Sequence, residues 1–83
     1  MYTLAYDRRV RKDLRLIPKP RRIEILEKAE KLAAEPRSFQ VEKLIGIEGY
    51  RLRIGDYRVL FTIDDRGKLV TVYRVLHRRE AYR

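Results

Sequence analysis

The strongest constraint on the fold lies between Tyr50 and Ile63, where apolar and polar residues alternate around the dipeptide Gly55-Asp56. A period of two puts Tyr50, Leu52 and Ile54 on one face of a strand and Arg51 and Arg53 on the other. After the dipeptide, Tyr57, Val59, Phe61 and Ile63 face one way, and Arg58, Leu60 and Thr62 the other. Glycine in the first of two turn positions suits a tight hairpin. Such a turn pairs Ile54 with Tyr57 and then Arg53 with Arg58, directly across the strands, with Arg51 on the same face. Like charges placed opposite each other destabilise a hairpin. Three guanidiniums on one sheet face are therefore either a solvated surface with acidic neighbours or a site shaped for a phosphodiester.

The rest of the chain supplies what this hairpin packs against. Tyr2 to Tyr6 has strand character, and Asp7 is placed to cap a helix. Val10, Leu14 and Ile17 recur at helical spacing, and Pro18 and Pro20 stop that helix. A second helix is expected from about Pro20 to Glu35, with Ile25, Ala29 and Leu32 on its buried face and Pro36 ending it. Arg37 to Gly49 reads as a connector whose Phe39, Val41, Leu44 and Ile45 pin it to the core edge. A further strand, Lys68 to Leu76, follows a turn at Asp65, Arg66 and Gly67; both its faces carry apolar residues, so its facing is ambiguous. The switch from helical spacing to alternation predicts an α+β two-layer sandwich. It consists of a helical hairpin packed on a mainly antiparallel four-stranded sheet, in the order β-α-α-β-β-β, as one domain over residues 1–83.

The charge narrows the class of partner. The net charge is +9, and 15 of the 21 basic residues are arginine. A guanidinium grips phosphate in a fixed fork, so the bias points to nucleic acid or an acidic protein more than to a surface of balanced ion pairs. There is no cysteine and a single histidine, which excludes disulfides and thiolate metal sites and fits a cytoplasmic protein. No apolar run approaches the roughly 20 residues of a membrane span, and Met1 to Tyr6 does not read as a signal peptide. No nucleophile–His–acid set, phosphate-cradling glycine loop or metal cluster is evident, so neither a metal nor another cofactor is expected. The basic tail holds His77, Arg78, Arg79, Tyr82 and Arg83. Nearby positive charge favours phenolate, so Tyr82 is a candidate base; the bland alternative is a ring packed on the sheet with a wet hydroxyl.

Taken with Lys43-Leu44 and Gly46, the run from Tyr50 to Phe61 and the run from His77 to Tyr82 give the chain a resemblance to the RelE/ParE toxin superfamily over nearly its whole length. The resemblance implies a RelE-type toxin: a metal-independent endoribonuclease, or mRNA interferase, of a toxin–antitoxin system. Such a toxin enters the A site of the 70S ribosome and cuts mRNA by attack of the RNA 2′-hydroxyl on the neighbouring phosphate, inhibiting translation. The matching positions are Arg51 and Arg53 on the strand before the hairpin turn, Arg58 just after it, and Arg78 and Tyr82 near the C-terminus. Arg53, Arg58, Arg78 and Tyr82 are the expected catalytic residues, and Arg51, His77, Arg79 and Arg83 the expected RNA-binding ones. A cognate antitoxin protein is the second implied partner, and an acidic or amphipathic segment on the sheet edge or first helices would suit the charge. In one respect the chain departs from the pattern. The two strand positions can be lysine in RelE-type enzymes, but arginine hardly gives up a proton, which leaves open the group that protonates the leaving 5′-oxygen, with His77 or a water as candidates. A ParE-like DNA gyrase inhibitor on the same fold, and a nucleic-acid-binding module without catalysis, remain the competing readings.

Overall fold

The computed structural model describes residues 1–38 and 40–81. Its elements are β1 (Thr3–Tyr6), α1 (Arg9–Arg15), α2 (Lys19–Glu30) running into a 3-10 turn (Lys31–Ala33), β2 (Val41–Lys43), β3 (Tyr50–Ile54), β4 (Tyr57–Asp64), β5 (Leu69–His77) and the short α3 (Arg78–Ala81). The strands form one sheet in the order β1-β5-β4-β3-β2. The architecture is the expected α+β arrangement with one strand more than the four anticipated. The extra strand is β2, which pairs antiparallel with β3 inside the stretch read as a connector. Three residues are too few to show alternation, so a strand of this length leaves no periodic signal. At the other edge β1 runs parallel to β5, a pairing made possible by the helical crossover between them.

The helices follow their sequence signals closely. Asp7 accepts the Arg9 N–H at 2.9 Å and opens α1, whose Val10 is buried, followed by buried Ile17. Pro20 lies in the first turn of α2, where its missing N–H costs no hydrogen bond. Ile25, Ala29 and Leu32 are buried as expected, although α-helical geometry stops at Glu30 and tightens to 3-10 before Pro36. Val10, Ile17, Ile25 and Leu32 meet Leu52, Ile54, Val59, Phe61, Val70, Val72 and Val75 from the sheet in one apolar core. In the former connector, Val41 packs against that core, but Ile45 is 99% exposed and does not pin the loop. Phe39 lies outside the described residues.

The ambiguous facing of β5 has a definite cause. Leu60 pairs with Arg74 and the next residue, Phe61, with Val72, so Tyr73 is an extra residue in β5. This bulge switches the parity of the strand. Val70 and Val72 before it, and Val75 after it, all face the helices and are buried. The sequence shows apolar residues at both parities because the strand changes parity once.

A second network ties three distant segments together. Arg37 grips Asp65 with both arms, Nη1 to Oδ1 at 3.0 Å and Nη2 to Oδ2 at 2.9 Å, and the Tyr2 hydroxyl donates to the same carboxylate at 2.6 Å. The Arg37 fork first, then the Tyr2 hydroxyl, hold the Asp65 carboxyl at about 2 against an ordinary 3.8. No helix among the described residues is long and apolar enough to cross a membrane.

Two outcomes follow for stability. Phe61 is fully buried and stacks on Tyr50 with ring centroids 5.8 Å apart, so Phe61→Ala should cost about 3–5 kcal/mol in denaturant unfolding. Asp65 has a depressed pKa in the fold, so its contribution is complete above about pH 4 and is lost as the pH falls towards 2. Acid unfolding curves of the parent and Asp65→Asn should therefore differ above pH 4 and converge near pH 2.

Candidate functional site

The hairpin register follows from its glycine. Gly55 has φ +57°, a left-handed value that a glycine adopts without strain, and it stands first in the turn. Ile54 consequently pairs with Tyr57 and Arg53 with Arg58, and Leu52 and Tyr50 pair with Val59 and Phe61 on the other face. The sheet thus carries an apolar side against the helices and an arginine side away from them.

On the arginine side the three guanidiniums are held differently. Arg58 is only 5% exposed, and its Nη1 donates to the carbonyl oxygens of Gly55 at 2.9 Å and Tyr57 at 3.0 Å. Its Nε is buried with no hydrogen-bond partner among the described residues. Nε and Nη2 form one edge of the guanidinium, so the turn fixes the group by Nη1 while a donor on the opposite edge stays unsatisfied. A buried unpaired donor costs about 1–3 kcal/mol, a strain usually tolerated only where it serves a purpose. Arg51 has a largely covered side chain, 17% exposed, and its Nη2 donates to Glu42 Oε2 at 3.1 Å. Arg53 is more open, with Nη2 3.6 Å from Glu42 Oε1.

The C-terminal residues meet this site at the turn. The Arg78 N–H donates to the Asp56 carbonyl at 2.7 Å, and Arg78 Nε lies 3.7 Å from Asp56 Oδ1. The turn that fixes Arg58 therefore also fixes the first residue of α3. His77 is not brought to the arginines. It pairs with Tyr57, whose ring it meets edge-on at 5.5 Å, and so belongs to the helix side of the sheet. Its Nδ1 accepts the Arg79 N–H at 3.3 Å, and Arg79 itself is exposed. Tyr82 and Arg83 lie outside the described residues.

Three acidic residues make contacts that the sequence does not reveal. Glu42 bridges Arg51 and Arg53, Asp56 contacts Arg78, and Asp13 is buried beneath β5. Asp13 takes both arms of Arg74 at 2.9 Å and accepts the Val75 N–H at 2.9 Å. That bond holds Arg74 more firmly protonated than usual. The spacing of Asp13 from Val10 and Ile17 is the signal that it sits beside the buried stripe of α1. Among the described residues no group of three or more His, Asp or Glu side chains converges as a metal site would require.

Comparison with known proteins agrees with this architecture. A family model described as the ParE toxin of the type II toxin–antitoxin system parDE matches residues 4–82. No curated protein sequence matches significantly. Among solved structures, the chain is similar to the RelBE2 toxin–antitoxin complex from Mycobacterium tuberculosis, with 30% identity, 92% of this chain and 96% of that chain covered, and a TM-score of 0.83. It is also similar to the archaeal RelE–RelB complex from Pyrococcus horikoshii OT3, with 31% identity, 93% and 94% covered, and a TM-score of 0.78. The intact E. coli RelBE toxin–antitoxin complex matches at 26% identity, with 90% and 94% covered and a TM-score of 0.77.

The Arg58 Nε, without a partner among the described residues, makes a stability test possible. A buried cation is often replaced by an apolar side chain at no net cost. Arg58→Met should leave the unfolding free energy within about 1 kcal/mol of the parent or raise it, as read by denaturant titration. A large loss would mean that Arg58 serves the fold and not a ligand.

Proposed function

Because this chain belongs to the RelE/ParE toxin superfamily of type II toxin–antitoxin systems, we propose that it is a ribosome-dependent endoribonuclease that cuts mRNA in the ribosomal A site. The observation that carries this reading is the Arg58 guanidinium, clamped by the turn carbonyls through Nη1, with no partner for Nε among the described residues, and directly opposite Arg53. It is a preoriented positive charge, which is what charge developing on a phosphate needs.

The chemistry follows from the RNA itself. The 2′-hydroxyl loses its proton as its oxygen bonds to the adjacent phosphorus, and the bond to the 5′-oxygen breaks. The products are a 2′,3′-cyclic phosphate and a 5′-hydroxyl. Negative charge grows on the nonbridging oxygens, where Arg58 and Arg78 act as forked donors. Arg51 and Arg53 hold flanking phosphates, with Arg79 and Arg83 as further backbone contacts. Tyr82 takes the 2′-hydroxyl proton or stacks on a base. Of the two donors open for the 5′-oxygen, His77 pairs on the helix side of the sheet, which favours a water. No step calls for a metal ion or another cofactor.

The partners are mRNA on the ribosome and a cognate antitoxin, acting in the cytoplasm. The antitoxin reading draws support from the structural relatives, which are complexes of RelE with RelB. It is also supported by a groove along α1 and α2, walled by Val10, Leu14 and Leu26 and rimmed by cations such as Arg11 and Arg15. An acidic amphipathic segment would match that surface in both polarity and charge. The second reading is inhibition of DNA gyrase, favoured by the family model's description as ParE.

Induction in bacteria, followed by mapping of mRNA 5′ ends with and without ribosomes, should show cleavage only in their presence. Supercoiling by gyrase should be unaffected by the purified protein; inhibition without new mRNA ends would favour the second reading. Arg58→Ala and Arg78→Ala should each lower single-turnover cleavage by about 100- to 1000-fold, the usual cost of one preorganised donor. Tyr82→Phe cutting as fast as the parent, with Tyr82→Ala slow, would assign the ring to stacking and remove the general-base role.

A further inference from the structure

Glu42 sits against two arginines of the candidate site. It lies on the edge strand β2 and pairs in register with Arg51, so its side chain emerges on the arginine side of the sheet. Its two oxygens are divided between two guanidiniums, Oε2 at 3.1 Å from Arg51 Nη2 and Oε1 at 3.6 Å from Arg53 Nη2. Two oxygens of one anion, each facing a separate arginine, is the arrangement that a phosphodiester's nonbridging oxygens adopt. The carboxylate and Arg53 are both half-exposed, so that pair is weak and exchangeable, while the Arg51 side of the contact is largely covered.

We propose that Glu42 is a built-in competitor: it occupies the Arg51 and Arg53 donors in the free protein, and a single-stranded RNA phosphate must displace it to bind. This inference rests on the proposed RNA site and adds to it a residue that sets the site's affinity. The carboxylate offsets the mutual repulsion of Arg51, Arg53 and Arg58 while the site is empty, and it yields to a ligand bearing more charge. A neutral residue at this position would remove that competing anion and the charge it sets against the arginines of this face. Glu42 thus lowers affinity for RNA in return for a less repulsive free state.

The test measures fluorescence anisotropy of a short 2′-O-methyl single-stranded RNA, which cannot be cut because it has no 2′-hydroxyl. Glu42→Gln keeps the side-chain shape and removes the charge. It should tighten binding about three- to tenfold, the scale of one or two exposed ion pairs. The plot of log affinity against log salt should steepen by about 0.7 for each additional phosphate that binds in place of the Glu42 charge. Glu48→Gln makes the same change in net charge on the exposed loop after β2 and should move the affinity little. Unchanged or weaker binding by a folded Glu42→Gln would overturn the inference and make Glu42 a brace that positions the arginines. Equal tightening by Glu48→Gln would reduce the effect to net charge and also overturn it. So would a parent whose affinity is indifferent to Arg53→Ala, since the RNA would then lie elsewhere. The assay uses no ribosome and no cleavage, so a protein that shows the Glu42 effect yet cuts no mRNA would refute the nuclease reading and leave this inference standing.

Discussion

Arg53 and Arg58 face each other across the β3–β4 hairpin, and the rest of the site depends on that opposition being enforced. A like-charge pair at a directly opposed position opposes folding by roughly 0.2–1 kcal/mol. The other face of the same hairpin decides the outcome. Leu52, Ile54, Val59 and Phe61 are buried there, each worth about 1.5–3 kcal/mol of transfer from water. A slip by one residue would turn that apolar set to solvent and drive the arginines into the core. The repulsion is therefore carried by a register that hydrophobic burial fixes several times over. It is moderated locally by Glu42 and by the carbonyl oxygens of Gly55 and Tyr57.

The other strand that feeds the site needs a different kind of support. Parallel pairing of β1 with β5 ends at Tyr6 and Val72, with a last bond from the Asp7 N–H to the Val72 carbonyl. Beyond that point the edge of β5 would offer an unpaired Val75 N–H, a group that must find a partner when buried. Asp13 of α1 provides it, and the same carboxylate binds Arg74 with both oxygens. One helix side chain thus closes the strand edge where the neighbouring strand has run out. Because β5 stays ordered up to His77, Arg78 emerges beside the Gly55-Asp56 turn, where Asp56 meets it by both backbone and side chain.

The sequence made the hairpin legible because alternation and a glycine turn are local signals of one period. Strands β3 and β4 have the anticipated limits, and the opposed arginines follow from counting outward from Gly55. The inner face of α2 was readable for the same reason, since Ile25, Ala29 and Leu32 repeat along one stripe. What escaped were features set by tertiary partners. Strand β2 exists because β3 offers an edge, and three residues carry no periodicity of their own. The facing of β5 is governed by a bulge at Tyr73, and the pattern alone does not say where a strand gains a residue. Asp13 shares the spacing of the buried stripe with Val10 and Ile17, but the arginine and the amide that it binds are known only once β5 is placed. Glu42 and Asp56 escaped because their partners are fixed only once strand register is known.

A site made of arginines has a particular relation to the fold that carries it. A guanidinium stays charged across the physiological range, so it suits holding charge and is ill-suited to passing protons. In the proposed reading such a site would work by having its donors aimed before a substrate arrives, which avoids reorganisation at the moment of reaction. Arg58 shows the physical form this takes. The turn carbonyls fix its orientation, burial removes competing water, and an Nε with no partner among the described residues is the resulting cost. That cost is tolerable because the apolar face of the same two strands is packed so completely, with Val59 and Phe61 fully enclosed. Core and site are thus opposite faces of one hairpin: the surplus stability of the first holds the second in a state that local interactions alone would not favour.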